Sequence, residues 1–330
     1  MKKILLLSFF LVIIIGFASC AEVHPITKSE LSETNIGLYT IIEDTTWEGR
    51  IRITGDVYVK QSATLTIKPG TVIRFNRIEP KLEEEEDGRN MVGLGSPYFP
   101  GAEIIVRGKI IAVGEKDKPI TFTSSDPAPR AGAWGAVNLL GSSGNVFEYC
   151  RISYAASGIQ NHASEAKVTK CIFHDNDIAL LFKKADFDSP SVMDIEYNTI
   201  VGNKSGIVAG NAKAVISHND ISGNRFYGIW VHGCLDAKVT YNDIKKNGCG
   251  IYLDKADPLT ISRNNISGNK QYNLAMASKT SSGVVASDNW WGTADPLKIE
   301  KKFFDKRTDA NLGLITYEPF LKEQVADTVK

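Results

Sequence analysis

Two aspartates raise the question of chemistry first. Asp220 and Asp243 are 23 residues apart, each one position before an isoleucine, Ile221 and Ile244. If the chain coils with that period, the two carboxylates stack about 5 Å apart. Like charges that close either raise a pKa or recruit a cation, so both are candidate catalytic and calcium-binding residues. Three positions before the same apolar register run Tyr149, Lys170, Tyr197, His218, Tyr241 and Arg263. Facing outward, this row sets aromatic and basic side chains beside the acids. Tyr197, Tyr241 and Lys170 would then contact a sugar. His218 and Arg263 are the candidates for proton transfer or charge stabilisation.

Other chemistry is hard to find. The chain has no G-x-x-x-x-G-K-[ST] loop, no H-E-x-x-H and no G-x-S-x-G. Beyond Cys20 its cysteines are Cys150, Cys171, Cys234 and Cys249, with no C-x-x-C pair for zinc or redox work. Cys150 and Cys171 take equivalent places in adjacent repeats. They are expected close together, either bridged or as small buried side chains. His162 and His232 occupy similar repeat positions three coils apart, about 14 Å at one strand spacing per coil. They cannot share a metal.

The elements that would carry these residues come from an internal repeat. Ile152, Phe173, Ile200, Ile221, Ile244, Ile266 and Trp291 follow one another at steps of 21, 27, 21, 23, 22 and 25 residues. Two positions before them stand Cys150, Cys171, Asn198, Asn219, Asn242, Asn264 and Asn289, and three after stand Asn176, Asn203, Asn224, Asn247 and Asn269. Five before are Phe147, Val168, Ile195, Ile216, Val239 and Ile261, all apolar. Each period therefore holds three short apolar strands separated by Asn or Gly corners. One turn cannot bury its apolar side chains alone, whereas stacked turns share a core. The expected fold is all-β, a right-handed parallel β-helix. Asn is expected to take the left-handed corner conformation and to bond its amide to the Asn above and below.

The first half is less regular, and here resemblance adds to the reading. Ala63-Thr64-Leu65-Thr66-Ile67-Lys68-Pro69-Gly70-Thr71-Val72-Ile73 resembles the opening coil of bacterial right-handed β-helix envelope proteins. Gly108 to Gly114, Pro119-Ile120-Thr121-Phe122-Thr123-Ser124 and Trp134-Gly135 are similar to their next coils, and Asn289-Trp290-Trp291-Gly292-Thr293 to their closing segment. The likeness implies one solenoid over 37–321, with 77–102 an inserted acidic loop, 294–321 a C-terminal cap, and 322–330 a frayed tail. Pectate lyases of similar fold hold calcium on stacked carboxylates. The NosD-type periplasmic family of the same superfamily is linked to copper-enzyme maturation.

Location is written at the start. Met1-Lys2-Lys3, the apolar run Ile4 to Ala18, and Phe17-Ala18-Ser19-Cys20 resemble a bacterial lipoprotein signal, with residues 1–19 removed and Cys20 lipidated. Residues 20–36 would link the anchor to the solenoid. Lys plus Arg and Asp plus Glu are both 38, and losing Lys2 and Lys3 leaves 36 − 38 = −2. That balance lacks the basic excess of a nucleic-acid binder. The sequence points to an exported, membrane-anchored monomer. It either binds polysaccharide or a surface protein without catalysis, or acts as a calcium-dependent polysaccharide lyase or hydrolase.

Overall fold

A computed structural model describes residues 32–77, 102–182, 190–210, 212–233, 236–254, 259–277 and 282–329. The signal segment, Cys20 and most of the acidic insertion lie outside these residues.

From Glu33 onward the chain is a parallel β-solenoid. Among the described residues three sheets of 10, 11 and 9 strands take successive strands in rotation, so every coil contributes one strand to each. One coil shows the plan: Asp236–Thr240 in the third sheet, Asp243–Lys245 in the narrow sheet, Cys249–Asp254 in the broad sheet. The register is the one the repeat implies. Ile152 pairs with Phe173, Phe173 with Ile200, Ile200 with Ile221, Ile221 with Ile244, and Ile244 with Ile266. These residues and the third-sheet column Phe147, Val168, Ile195, Ile216 and Val239 are fully buried. The core is therefore a continuous apolar stack along the solenoid axis.

The corners correct one expectation. Asn is not the left-handed residue; the residue before it is. Tyr149, Lys170, Tyr197, His218, Tyr241 and Arg263 all have φ between 49° and 58°. Asp175, Gly202, Gly223, Lys246 and Gly268 are left-handed too at the second corner, with φ between 56° and 68°. This conformation turns the chain sharply and aims the following Asn inward. There each amide joins a ladder: Asn219 Nδ2 donates to Asn242 Oδ1 at 2.9 Å, and Asn242 Nδ2 to Asn264 Oδ1 at 3.0 Å. The same acceptors take the backbone N–H of the coil before, as in Asn219 N–H to Asn242 Oδ1 at 3.0 Å. A parallel ladder runs through Asn176, Asn203, Asn224, Asn247 and Asn269. Two rows of buried amides thus satisfy the backbone at both bends beside each narrow strand.

The far end is closed by residues after the last full coil. Asp295 caps the short helix α1, Pro296–Glu300, by accepting from Leu297 N–H at 3.1 Å. Phe303–Phe304 pairs with Leu274–Met276 as the final strand of the broad sheet. The last residues do not fray. Val325 N–H donates to Asn265 Oδ1 at 2.8 Å, and Thr328 packs beside it at 5% exposure. Asn265 is the residue that receives them, and nothing in its local sequence marks it as a docking point.

Asn242→Ala removes the acceptor of both Asn219 donors and is expected to cost about 2–4 kcal/mol in chemical denaturation. Cys171→Asn, which extends the ladder towards Cys150, is expected to be neutral or stabilising in the same measurement.

Candidate functional site

The corner row stands on the outside, as its left-handed backbone requires, with Tyr197 40% exposed. Its rings face one another. Tyr197 and His218 stack at 4.8 Å, His218 and Tyr241 at 5.1 Å with planes 2° apart. Arg263 lies over Tyr241 at 6.0 Å, and Lys170 over Tyr149 at 4.9 Å while bonding Glu148 at 2.7 Å. Ring faces engaged with each other present edges to solvent, so the row works as an external ladder parallel to the buried Asn one. His218 Nδ1 is buried and has no hydrogen-bond partner. No contact there poises it as an acid or base.

Asp220 and Asp243 are stacked in register, as their spacing implies. Sequence reasoning missed Lys245, two residues on and on the same outer face. Its Nζ lies 3.0 Å from Asp243 Oδ2 and 3.7 Å from Asp220 Oδ1, supplying the positive charge that a stacked acid pair calls for. Asp243 Oδ1 also accepts from Thr328 Oγ1 at 2.7 Å and Asn265 Nδ2 at 2.8 Å. Burial alone would raise the Asp243 pKa, but these bonds and Lys245 outweigh it and hold the carboxyl below its ordinary value of 3.8. The C-terminal residues therefore close over this pair, an arrangement that spacing within the repeat cannot reveal.

A second aromatic group lies on the outer face of the broad sheet. Register stacks Val208, Trp230, Tyr252 and Ala275 in one column. Tyr227 leans on this column, 5.5 Å from Trp230 and 5.0 Å from Tyr252, with planes tilted 46° and 35°. Trp230 and Tyr252 meet edge-on at 6.0 Å and 74°. Tilted rings leave parts of their faces open, unlike the corner row. The Trp230 Nε1 donor has no partner, and the pair His232 Nδ1 and Asp254 Oδ2, 2.9 Å apart, borders the group. Burial, then the neighbouring Tyr227 and Asp254, push the Tyr252 phenol up from its ordinary value. The signal existed in the sequence: the residue after each Gly-Ile reads Val208, Trp230, Tyr252 in consecutive coils.

The described cysteines pack inside the solenoid. Cys150, Cys171 and Cys249 are free and buried, and Cys150 N–H donates to Cys171 Sγ at 3.4 Å, as neighbouring coils donate to Asn. Burial pushes the Cys150 thiol well up and the Cys249 thiol up to about 12, so neither is a reactive thiolate.

Thr328→Val removes one bond that keeps Asp243 ionised, so the native pKa of Asp243 moves up. A depressed carboxyl contributes stability above its unfolded value that is lost as pH falls through its native value. The variant is therefore expected to melt below wild type at neutral pH, with the difference closing as pH falls below 3.8 and through the lowered native value. Thermal unfolding across that range measures it.

A model described as periplasmic copper-binding protein (NosD) matches residues 123–289, and one described as a pectate-lyase-like β-helix domain matches residues 39–160. Among curated proteins none matches the chain. Crystal structures of the periplasmic alginate epimerase AlgG, wild type and two mutants, align at 11–12% identity with TM-scores of 0.40–0.41. They cover 84–88% of this chain and 75–76% of theirs. Copper favours imidazole and soft sulfur ligands gathered at one point. Among the described residues no three His, Cys, Asp or Glu side chains come together, and Met193 and Met276 are buried in the core. The described residues therefore do not fit a copper site. The matched residues span half of the chain and include the buried Asn ladders, and the chain belongs to the NosD family of parallel β-helix proteins.

Proposed function

We propose that this protein is an exported, lipid-anchored, monomeric β-solenoid that binds carbohydrate without transforming it, through Trp230, Tyr252 and Tyr227. The observation that carries this reading is the tilted ring cluster on the flat outer face of the broad sheet. Sugar rings present apolar C–H faces that pack on aromatic faces. His232 and Asp254 supply hydrogen-bonding capacity at the border. The corner residues Tyr197, Tyr241 and Lys170 flank the acid pair but offer edges and a pinned ammonium. The non-catalytic side is supported at Asp220 and Asp243, whose charges are engaged by Lys245, Asn265 and Thr328. Export is supported by the basic, apolar and small-residue order of residues 1–20, and it agrees with the periplasmic description of the matched NosD family.

On a glycan array the protein is expected to bind polysaccharide without releasing reducing ends or unsaturated sugar. Trp230→Ala and Tyr252→Ala should each weaken binding at least about tenfold, the equivalent of 1.4 kcal/mol. Tyr241→Ala should leave it within about threefold, because its ring face is covered. Turnover that Asp243→Asn abolishes would overturn the non-catalytic reading. Palmitate labelling of expressing cells should mark the protein and be lost in Cys20→Ala.

A further inference from the structure

Away from the aromatic face, one group of oxygens is buried without an answering charge. Asp56 and Glu103 each stand one residue before a strand of the broad sheet, Val57–Val59 and Ile104–Val106, and Val57 pairs with Ile104. The two acids thus occupy adjacent coils, and Glu103 N–H donates to Asp56 Oδ1 at 3.2 Å. The next coil makes room for them. A Cβ on Gly135 would lie 2.4 Å from Glu103 Cγ and 2.7 Å from its Oε1, so the Glu103 side chain fills the space that glycine leaves. Glu103 is 1% exposed, and neither Oε1 nor Oε2 has a hydrogen-bond partner. Asn138, paired with Ile105 in the next coil, is 6% exposed with Oδ1 also unpartnered, and its side chain favours the charged form of Glu103. Tyr58, two residues after Asp56, favours the charged form of that acid.

A buried and a half-buried carboxylate stacked in adjacent coils do not both stay charged without a cation. Among the described residues, none of the groups that act on either acid is a Lys, Arg or His. The candidate ligands are all oxygen: two carboxylates, an amide that turns its oxygen or nitrogen inward by a flip, and a phenol. Calcium accepts such a mixed and irregular oxygen shell, whereas copper prefers nitrogen and sulfur. We propose that Asp56, Glu103 and Asn138, with Tyr58 beside them, hold a calcium ion in the N-terminal coils.

The electrostatics agree in sign. Burial, then the charge of Asp56, push Glu103 well above its ordinary value of 4.5, and burial raises Asp56 as well. Burial followed by the two acids pushes Tyr58 up to about 12.

Terbium, which occupies calcium sites and is sensitised by nearby tyrosine and tryptophan, reads the site directly. The purified protein at neutral pH should give saturable terbium emission that calcium displaces and magnesium displaces more weakly. Calcium should also raise the melting temperature. Glu103→Gln and Asp56→Asn should weaken terbium binding at least tenfold and abolish the melting shift, while Asp220→Asn/Asp243→Asn keeps both. Asn138→Leu, which leaves the acids in place, provides the same readout if an acid variant does not fold, and should also weaken binding. Absence of sensitised emission in the wild type, or emission unchanged in Glu103→Gln and Asn138→Leu, would overturn the proposal. So would stability that falls with rising pH and does not respond to calcium, because the pair would then share only a proton.

Discussion

The structure depends on how a narrow strand of three residues can bend sharply at both ends without stranding its backbone in the core. The solution is a left-handed residue followed by an inward asparagine, repeated in register from coil to coil. Each amide accepts from the coil before it and donates to the coil after it, so no bend is satisfied alone. A single coil could not adopt this corner, because its buried donors would lack partners. The ladder makes the stack cooperative and fixes its register to the residue.

The same bend determines the outer surface. A left-handed backbone turns its side chain away from the core, so the residues before the asparagines are free to vary and are stacked by the same spacing. In coils 6 to 9 of the solenoid they are Tyr197, His218, Tyr241 and Arg263, and their rings close on one another. Stacking strong enough to order the row also removes the ring faces a sugar would use. The broad sheet has the opposite character. Its outward column mixes large and small residues, and Tyr227, at the start of the same strand as Trp230, meets the rings at an angle, so faces stay open.

Charge is handled by the same logic of what lies one coil away. Asp220 and Asp243 are answered by Lys245 from within the repeat and by Thr328 from beyond it. Asp56 and Glu103, stacked in the same manner near the other end, meet glycine in the next coil and unpaired amide oxygen beside it. Stacking in register therefore produces a pair bridged by a lysine in one place and, among the described residues, a pair with no cation in the other. Which outcome results depends on neighbours brought in by the coil, not on the acids themselves.

What the sequence determined by itself was whatever repeats. The period of the apolar residues set the three sheets, the partners of the core residues from Ile152 to Ile266 and the two asparagine columns, because a stacked coil must place equivalent residues on equivalent sites. It also placed Asp220 over Asp243 and lined up the corner row. Only the tertiary structure decided what each of these positions faces. The left-handed angle belongs to the residue before asparagine because the amide must turn inward to be satisfied. Lys245 and Thr328 reach the acid pair because side-chain length and the returning C-terminus are not periodic quantities. Glu103 becomes buried because residue 135, thirty-two positions later, has no side chain. Register is local information repeated, and it can be read from one coil; burial and pairing are sums over neighbours, and they exist only once the coils are stacked.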